Sequence, residues 1–319
     1  HTIGRRQRQM CIRDRSELSL DEALALDATG SMQPESRISL SPLRRDFLLM
    51  ARTISEDGAV EALSLSEEIL DRSRSGDERD PEVEARVRLD RALIGAVEEE
   101  RVGHELRWAT DRLATLRPGS PGHALALLNL ASWHASIGET MMALAVHSEI
   151  TTASKHPNDL VALSRLEVGR LHQKIGDVPS SLRHHWSSAS RFSAEGMIGE
   201  EAIALLEWLD LALDFLSEDA ERMGDVIANT MPRTNLEPSE AKVHPDDVLE
   251  AGLRLAGIIL DDPSGEKRPD IGLLVDAAHC ISSNEIAKSL REKVGSMQDA
   301  QVIEWVQELE LNGSETDQS

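Results

Sequence analysis

Histidine is the residue type in this sequence whose number and spacing most suggest chemistry. Five histidines fall within one short stretch of the chain: His134, His147, His172, His184 and His185. Imidazole nitrogens bind zinc and can accept a proton near neutral pH. The cluster therefore raises the hypothesis of a metal-dependent hydrolase, and the sequence around these residues has to be weighed against it.

Four of the five histidines belong to an internal repeat. The segments "LNLASWHASIGETMMALAVHS", from Leu128, and "LEVGRLHQKIGDVPSSLRHHW", from Leu166, align so that His134 matches His172 and His147 matches His185. In each copy, apolar residues at helical spacing stop at a glycine followed by an acid, and a second helical pattern then begins. The repeat predicts a helical hairpin, and "FLLMARTISEDGAVEALSLSEEIL" is a looser third copy.

These segments resemble the tetratricopeptide-repeat family. Its helical pairs show a large residue, a leucine with a small residue, an aromatic, a glycine turn, an alanine and a second aromatic. The resemblance covers residues 41–230 in about five pairs: 41–75, 81–117, 121–155, 159–194 and 198–230. It implies that His134, His147, His172 and His185 fill the slots of interlocking aromatics and are packing residues, so no metal site is predicted.

Outside the repeats and residues 1–15, the amino-acid composition divides the chain into four segments. We expect one short helix and a linker in 16–40, a proline-rich linker in 231–246, four amphipathic helices in 247–311 and a solvated tail in 312–319. The four helices either continue the repeats or cap them. The predicted fold class is all-α: an α-solenoid of stacked antiparallel helical hairpins with a helical C-terminal part.

The N-terminal segment "HTIGRRQRQMCIRDR" does not fit this organisation. It contains five arginines in an otherwise acidic chain and lacks the features of a targeting signal. Residues 1–15 resemble a translated sequencing-library adapter, and we expect them to be a non-native peptide. A basic recognition arm is the functional alternative.

Charge and cysteine content exclude several classes of function. The formal net charge is −23, so the surface repels phosphate groups, and we expect neither nucleic-acid nor anionic-membrane binding. No apolar run reaches the roughly 18 residues of a membrane span. With Cys11 set aside, Cys280 stands alone, which favours a reducing cytoplasm.

Other catalytic signatures are missing from the sequence. Cys280 follows His279 directly, and neighbouring helical residues point about 100° apart, so the two do not form a nucleophile–base pair. There is no glycine-rich phosphate loop, no nucleophile elbow and no paired-cysteine metal spacing. We therefore predict a non-enzymatic protein without a cofactor.

The resemblance also implies a binding face. In the family, the first helix of every pair lines a concave surface that holds an extended peptide or a partner helix. Matching positions in this chain are Leu128, Ser132, Ser136, Leu166, Arg170, Gln173 and Lys174. Arg170 and Lys174 lie one helical turn apart, where they could hold a carboxylate, so the predicted partner is a protein or an acidic peptide.

The predicted function is a protein-interaction scaffold. The alternative is a sensor or docking arm of a larger regulatory protein whose N-terminal effector domain is missing, and the metal-dependent hydrolase is the least favoured hypothesis. The sequence does not indicate an oligomeric state.

Overall fold

The computed structural model describes residues 18–56, 58–229, 240–260 and 268–309. The predictions for residues 1–15 and 312–319, and for most of the 231–246 linker, lie outside this part of the chain. Within it, regular secondary structure is helical apart from one isolated bridge between Leu216 and Val243.

The chain divides between Pro157 and Asn158 into two compact units. The first unit contains eight described helices: α1 (Leu20–Ala28), α2 (Pro34–Ser39), α3 (Pro42–Ser55), α4 (Ala59–Arg74), α5 (Pro81–Leu93), α6 (Glu99–Leu116), α7 (Pro121–Ser136) and α8 (Thr140–Ser148). From α3 to α8, each helix packs against the next one along the chain.

The second unit also contains eight described helices: α9 (Asn158–Lys174), α10 (Val178–Ala194), α11 (Ile198–Ala212), α12 (Met223–Ala228), α13 (Pro245–Ile259), α14 (Arg268–Cys280), α15 (Asn284–Lys293) and α16 (Ala300–Glu308). Here α9, α10 and α11 pack in sequence, and α13 packs on α11. Helix α14 contacts α11, α13, α15 and α16. This sequential packing of helical hairpins is that of an α-solenoid, so the predicted fold class is confirmed.

The two repeat copies end their first helices in the same way. Gly138 and Gly176 have φ angles of 86° and 79°, a left-handed conformation that glycine adopts without steric cost. The backbone N–H of the acid that follows reaches back to close the helix: Glu139 donates to the His134 carbonyl at 2.8 Å and Asp177 to the His172 carbonyl at 2.9 Å. These are helix caps of the Schellman type, and they turn the chain into the second helix of each hairpin.

The same cap also occurs where no sequence repeat was recognised. Between α10 and α11, Gly196 has a φ angle of 70°, and the N–H of Met197 donates to the Phe192 carbonyl at 3.0 Å. Phe192, which is buried, thus takes the position that His134 and His172 hold in their copies. The turn geometry therefore recurs more widely than the sequence alignment indicates.

Two local expectations differ from the structure. The segment predicted as a linker before residue 41 contains the short helix α2, which begins at Pro34, a residue suited to a first helical position. The predicted pair 198–230 has only one full-length helix. After α11 the chain forms a 3₁₀ turn at Leu213–Phe215 and then the six-residue α12.

Aromatic residues lie at the centre of the second unit's core. The rings of Trp186 and Trp208 meet edge to face with their centroids 4.8 Å apart, and Trp208 is fully buried. Burial of large apolar side chains contributes roughly 1.5–3 kcal/mol each. This core holds α9–α11 and α13–α16 together and so fixes the relative positions of α11, α14 and α16.

Candidate binding groove

The repeat histidines are turn and packing residues. His134 is buried, and its Nδ1 lies 2.7 Å from Oε2 of Glu139, the acid that follows the turn glycine. Arg107 contacts the other ring nitrogen at 3.2 Å. In the second copy, His172 Nδ1 lies 3.2 Å from Asp177 Oδ2. The histidine of each copy thus ties the end of the first helix to the start of the second.

The remaining histidines of the cluster lie inside the helical packing. His147 and His185 are buried, and a Cβ atom at Gly169 would lie 2.7 Å from the His185 ring, which explains the small residue at that repeat position. Burial lowers the pKa of His185 to about 4. His184 stacks on His172 at 5.4 Å, and burial, with the nearby positive charge of Arg165, lowers its pKa to about 3.

Both of these rings are therefore neutral at physiological pH. Among the residues that the structure describes, no three histidine, cysteine or acidic side chains are grouped to hold a metal ion.

The residues predicted to line a concave face fall into two sets. Leu128, Ser132 and Ser136 belong to α7 in the first unit, and Leu166, Arg170, Gln173 and Lys174 belong to α9 in the second. Leu128 and Leu166 are buried, so the prediction that they face a partner is wrong for these two. Their apolar side chains complete the helix packing instead. The two serines, Gln173 and Lys174 are exposed.

Arg170 is already engaged within the second unit. Its Nε donates to both carboxylate oxygens of Glu207 at 3.0 Å, and its Nη1 donates to Glu167 at 2.5 Å. These contacts, above all the hydrogen bonds to Glu207, raise the pKa of Arg170. Two carboxylates thus balance the charge that was expected to attract an acidic partner.

The pair formed by Arg170 and Glu207 borders a surface groove between α11 and α14. The cavity has a volume of about 580 Å³. Eight residues line it: Leu206, Glu207, Asp210, Asp270, Gly272, Leu273, Asp276 and Trp305. The last of these is contributed by α16, which packs on α14.

The floor of the groove is apolar. Leu206, Leu273 and Trp305 are each partly buried, and they pack against the second unit's core on one side while remaining accessible on the other. A Cβ atom at Gly272 would lie 3.5 Å from the Trp305 ring, an ordinary contact distance, so the glycine leaves space beside the indole. An apolar side chain of a partner could occupy that space.

The rim of the groove is acidic. Asp210 on α11 and Asp276 on α14 are exposed, and Asp214 follows Asp210 by one helical turn. Burial raises the pKa of the Cys280 thiol, and the negative charges of Asp276 and Asp214 raise it further. Asp276 on α14 and Asp214, in the 3₁₀ turn after α11, therefore both act on the thiol of Cys280.

Sequence reasoning did not find this groove. Its walls come from segments that are far apart in the chain, and the repeat alignment stops before α14 begins. The available signal was the pairing of leucine and aspartate on one side of each helix: Leu206 with Asp210, and Leu273 with Asp276.

The chain has a match among solved structures but none among family models or curated proteins. No protein-family model matches the sequence, and no curated protein matches it. One solved structure to which the chain is similar is a Rap protein complexed with competence and sporulation factor. The sequence identity is 11%, the alignment covers 90% of this chain and 81% of that chain, and the TM-score is 0.42. None of the helices described in the structure is both long and apolar enough to cross a membrane.

Proposed function

We propose that this protein is a non-enzymatic interaction scaffold that binds a peptide or a partner helix, and that the groove between α11 and α14 is its binding site. The observation that supports the proposal is a cavity of about 580 Å³ with Leu206, Leu273 and Trp305 accessible along its floor. Ligand sites are typically concave, largely apolar and about 300–1,000 Å³ in volume, with a few polar groups that set orientation.

The shape of the site favours a polypeptide ligand. Two helices form its walls, and an amphipathic helix laid into such a groove buries one apolar face against the floor. The histidines, which carried the catalytic hypothesis, are occupied by turn contacts and packing. Ser132 and Ser136 in the first unit, and separately Gln173 and Lys174 in the second, remain candidate contacts of the kind that tetratricopeptide repeats make.

The proposal applies to either setting suggested by the sequence. The protein acts as a cytoplasmic scaffold in its own right, or the repeats are the sensor or docking arm of a longer regulatory protein. The groove would serve the same role in both cases, since its lining comes entirely from the second unit.

Selection from a displayed library of random peptides tests the function. The full chain is the bait, and the enriched peptides are then measured against Leu206→Glu, which places a charge on the groove floor. Ile203→Glu is the matched control because Ile203 lies on the same helix, is exposed and does not line the groove.

We expect peptides that bind the wild type and the control equally and bind Leu206→Glu at least about tenfold more weakly, a change of roughly 1.4 kcal/mol. Circular dichroism and thermal melting verify that both variants fold. Failure to enrich any peptide, or enrichment of peptides that bind all three proteins equally, contradicts the proposed site.

A further inference from the structure

The charge of the groove indicates which kind of partner it accepts, and this step rests on the proposed function. Of the lining carboxylates, Glu207 is neutralised by Arg170. Asp210 and Asp276 are exposed, as is Asp214 next to them. Among the residues that the structure describes, no arginine, lysine or histidine forms an ion pair with any of these three aspartates.

The three aspartates lie on or next to the two helices that form the groove. Asp210 and Asp214 are one helical turn apart, a spacing at which like charges destabilise a helix. Asp214, in the 3₁₀ turn after α11, and Asp276, on α14, both raise the pKa of the Cys280 thiol. A lysine or arginine of a partner could pair with Asp210 and Asp276, neither of which forms an ion pair within the described part of the second unit.

Each of the two helices contributes an apolar residue and an acidic residue to the site. Leu206 and Leu273 lie on the floor, and each is followed by an aspartate on the rim, Asp210 and Asp276 respectively. A complementary ligand needs apolar side chains at helical spacing with lysine or arginine beside them. A small cation would satisfy only the rim, whereas a neutral apolar helix would satisfy only the floor.

We infer that the groove between α11 and α14 binds a basic amphipathic segment of a protein partner. Apolar side chains of that segment contact Leu206, Leu273 and Trp305, and its lysine or arginine side chains pair with Asp210 and Asp276. This is opposite in sign to the acidic peptide expected from Arg170 and Lys174 in the sequence.

The composition of the selected peptides tests this inference separately from the proposed function. We expect peptides whose binding depends on Leu206 to be enriched in lysine and arginine, with apolar residues three or four positions apart. If the peptides whose binding depends on Leu206 are instead neutral or acidic, the inference is wrong, but the proposed peptide-binding function still holds. If no groove-dependent peptide is found, both fail.

Charge variants give a second test with a defined peptide. For the most enriched basic peptide, Asp210→Asn with Asp276→Asn should weaken binding about fivefold to tenfold at low salt, because two surface ion pairs are lost. Glu200→Gln with Glu285→Gln makes the same change in net charge on exposed residues outside the groove, and this control should change affinity less than about twofold. Equal losses in both double variants would show that only the overall negative charge attracts the peptide, and would overturn the specific site.

Charge reversal gives the sharpest outcome. Asp210→Lys with Asp276→Lys should abolish binding of the basic peptide and permit binding of its counterpart in which every lysine and arginine is replaced by glutamate. Continued preference of the reversed variant for the basic peptide would contradict the assigned ion pairs.

Discussion

Both compact units combine apolar packing with ion pairs between helices, in different arrangements. In the first unit, charged side chains connect the helices: Arg86 pairs with Asp21, Arg88 Nη1 lies 2.7 Å from Glu105 Oε2, and Arg44 pairs with Asp80 at 2.8 Å. The second unit also contains ion pairs, but its main feature is one large apolar cluster that reaches from α9 to α16.

This difference bears on where function can lie. In the first unit, acidic side chains such as Asp21 and Glu105 are committed to arginines between helices. In the second unit the apolar cluster holds the helices together, and aspartates on α11 and α14 remain at the surface beside accessible leucines. The second unit thus presents carboxylates beside accessible apolar side chains, which is the combination that the proposed partner would use.

The largest expected effect is on the apolar core of the second unit. Trp208→Ala removes a fully buried indole that packs on Trp186, and we expect it to lower the free energy of unfolding by about 3–5 kcal/mol. Chemical denaturation measures this. Trp108→Ala in the first unit is the comparison. Because Trp108 is only partly buried, a loss as large as that of Trp208→Ala would contradict the placement of Trp208 at the centre of the second unit's core.

The next effect concerns the buried ion pair of the first unit. Arg86 is buried, and its guanidinium pairs with Asp21, which also accepts a hydrogen bond from the N–H of Gly122 at 3.1 Å. Arg86→Met leaves the carboxylate without its cation, and we expect a loss of about 3 kcal/mol. Arg101→Met removes an exposed arginine whose partner, Glu105, keeps its ion pair with Arg88, and it should cost less than about 1 kcal/mol in the same denaturation assay. Equal costs would show that neither the burial of the arginine nor the loss of the carboxylate's last cation matters.

A pH effect is expected from His185. Its pKa in the folded protein is about 4, below the ordinary value near 6.5, so its contribution to stability is complete above pH 6.5 and is lost as the pH falls toward 4. Between pH 6.5 and 5 the loss should be about 1.5 kcal/mol. His185→Gln should remove that part of the pH dependence of unfolding. His104→Gln, at an exposed histidine, is the control and should leave the profile unchanged. An identical profile for wild type and His185→Gln would contradict the burial argument.

The smallest effects come from two glycines in the second unit. Gly272→Ala adds a methyl group at 3.5 Å from Trp305, which fits, and removes a flexible residue from the interior of α14. We expect stabilisation by about 0.5–1 kcal/mol. Gly169→Ala should instead destabilise, because its Cβ would lie 2.7 Å from the buried His185 ring. Thermal melting separates the two, and a change of the same sign in both would contradict the described packing.

Much of the fold followed from local sequence patterns. The turn glycines Gly138 and Gly176, the acids after them and the helical spacing around His134 and His172 all act within a few residues, so one hairpin can be inferred from its own sequence. The buried position of His134 and His185 also followed, because the repeat assigned them to aromatic packing slots.

The groove did not follow, because it depends on contacts between distant segments. Arg170 appeared available for a partner, but its guanidinium meets Glu207 of another helix. Leu128 and Leu166 appeared to belong to a binding face, yet neighbouring helices cover them. Spacing within one helix shows which side chains share a face but does not show what packs against that face.

The affinity of a selected basic amphipathic peptide for three proteins tests the central claim most directly: the wild type, Leu206→Glu and Ile203→Glu. The account predicts equal affinity for the wild type and Ile203→Glu, and at least about tenfold weaker binding to Leu206→Glu, corresponding to roughly 1.4 kcal/mol. Equal affinity for all three proteins would contradict the claim that the groove between α11 and α14 is the binding site.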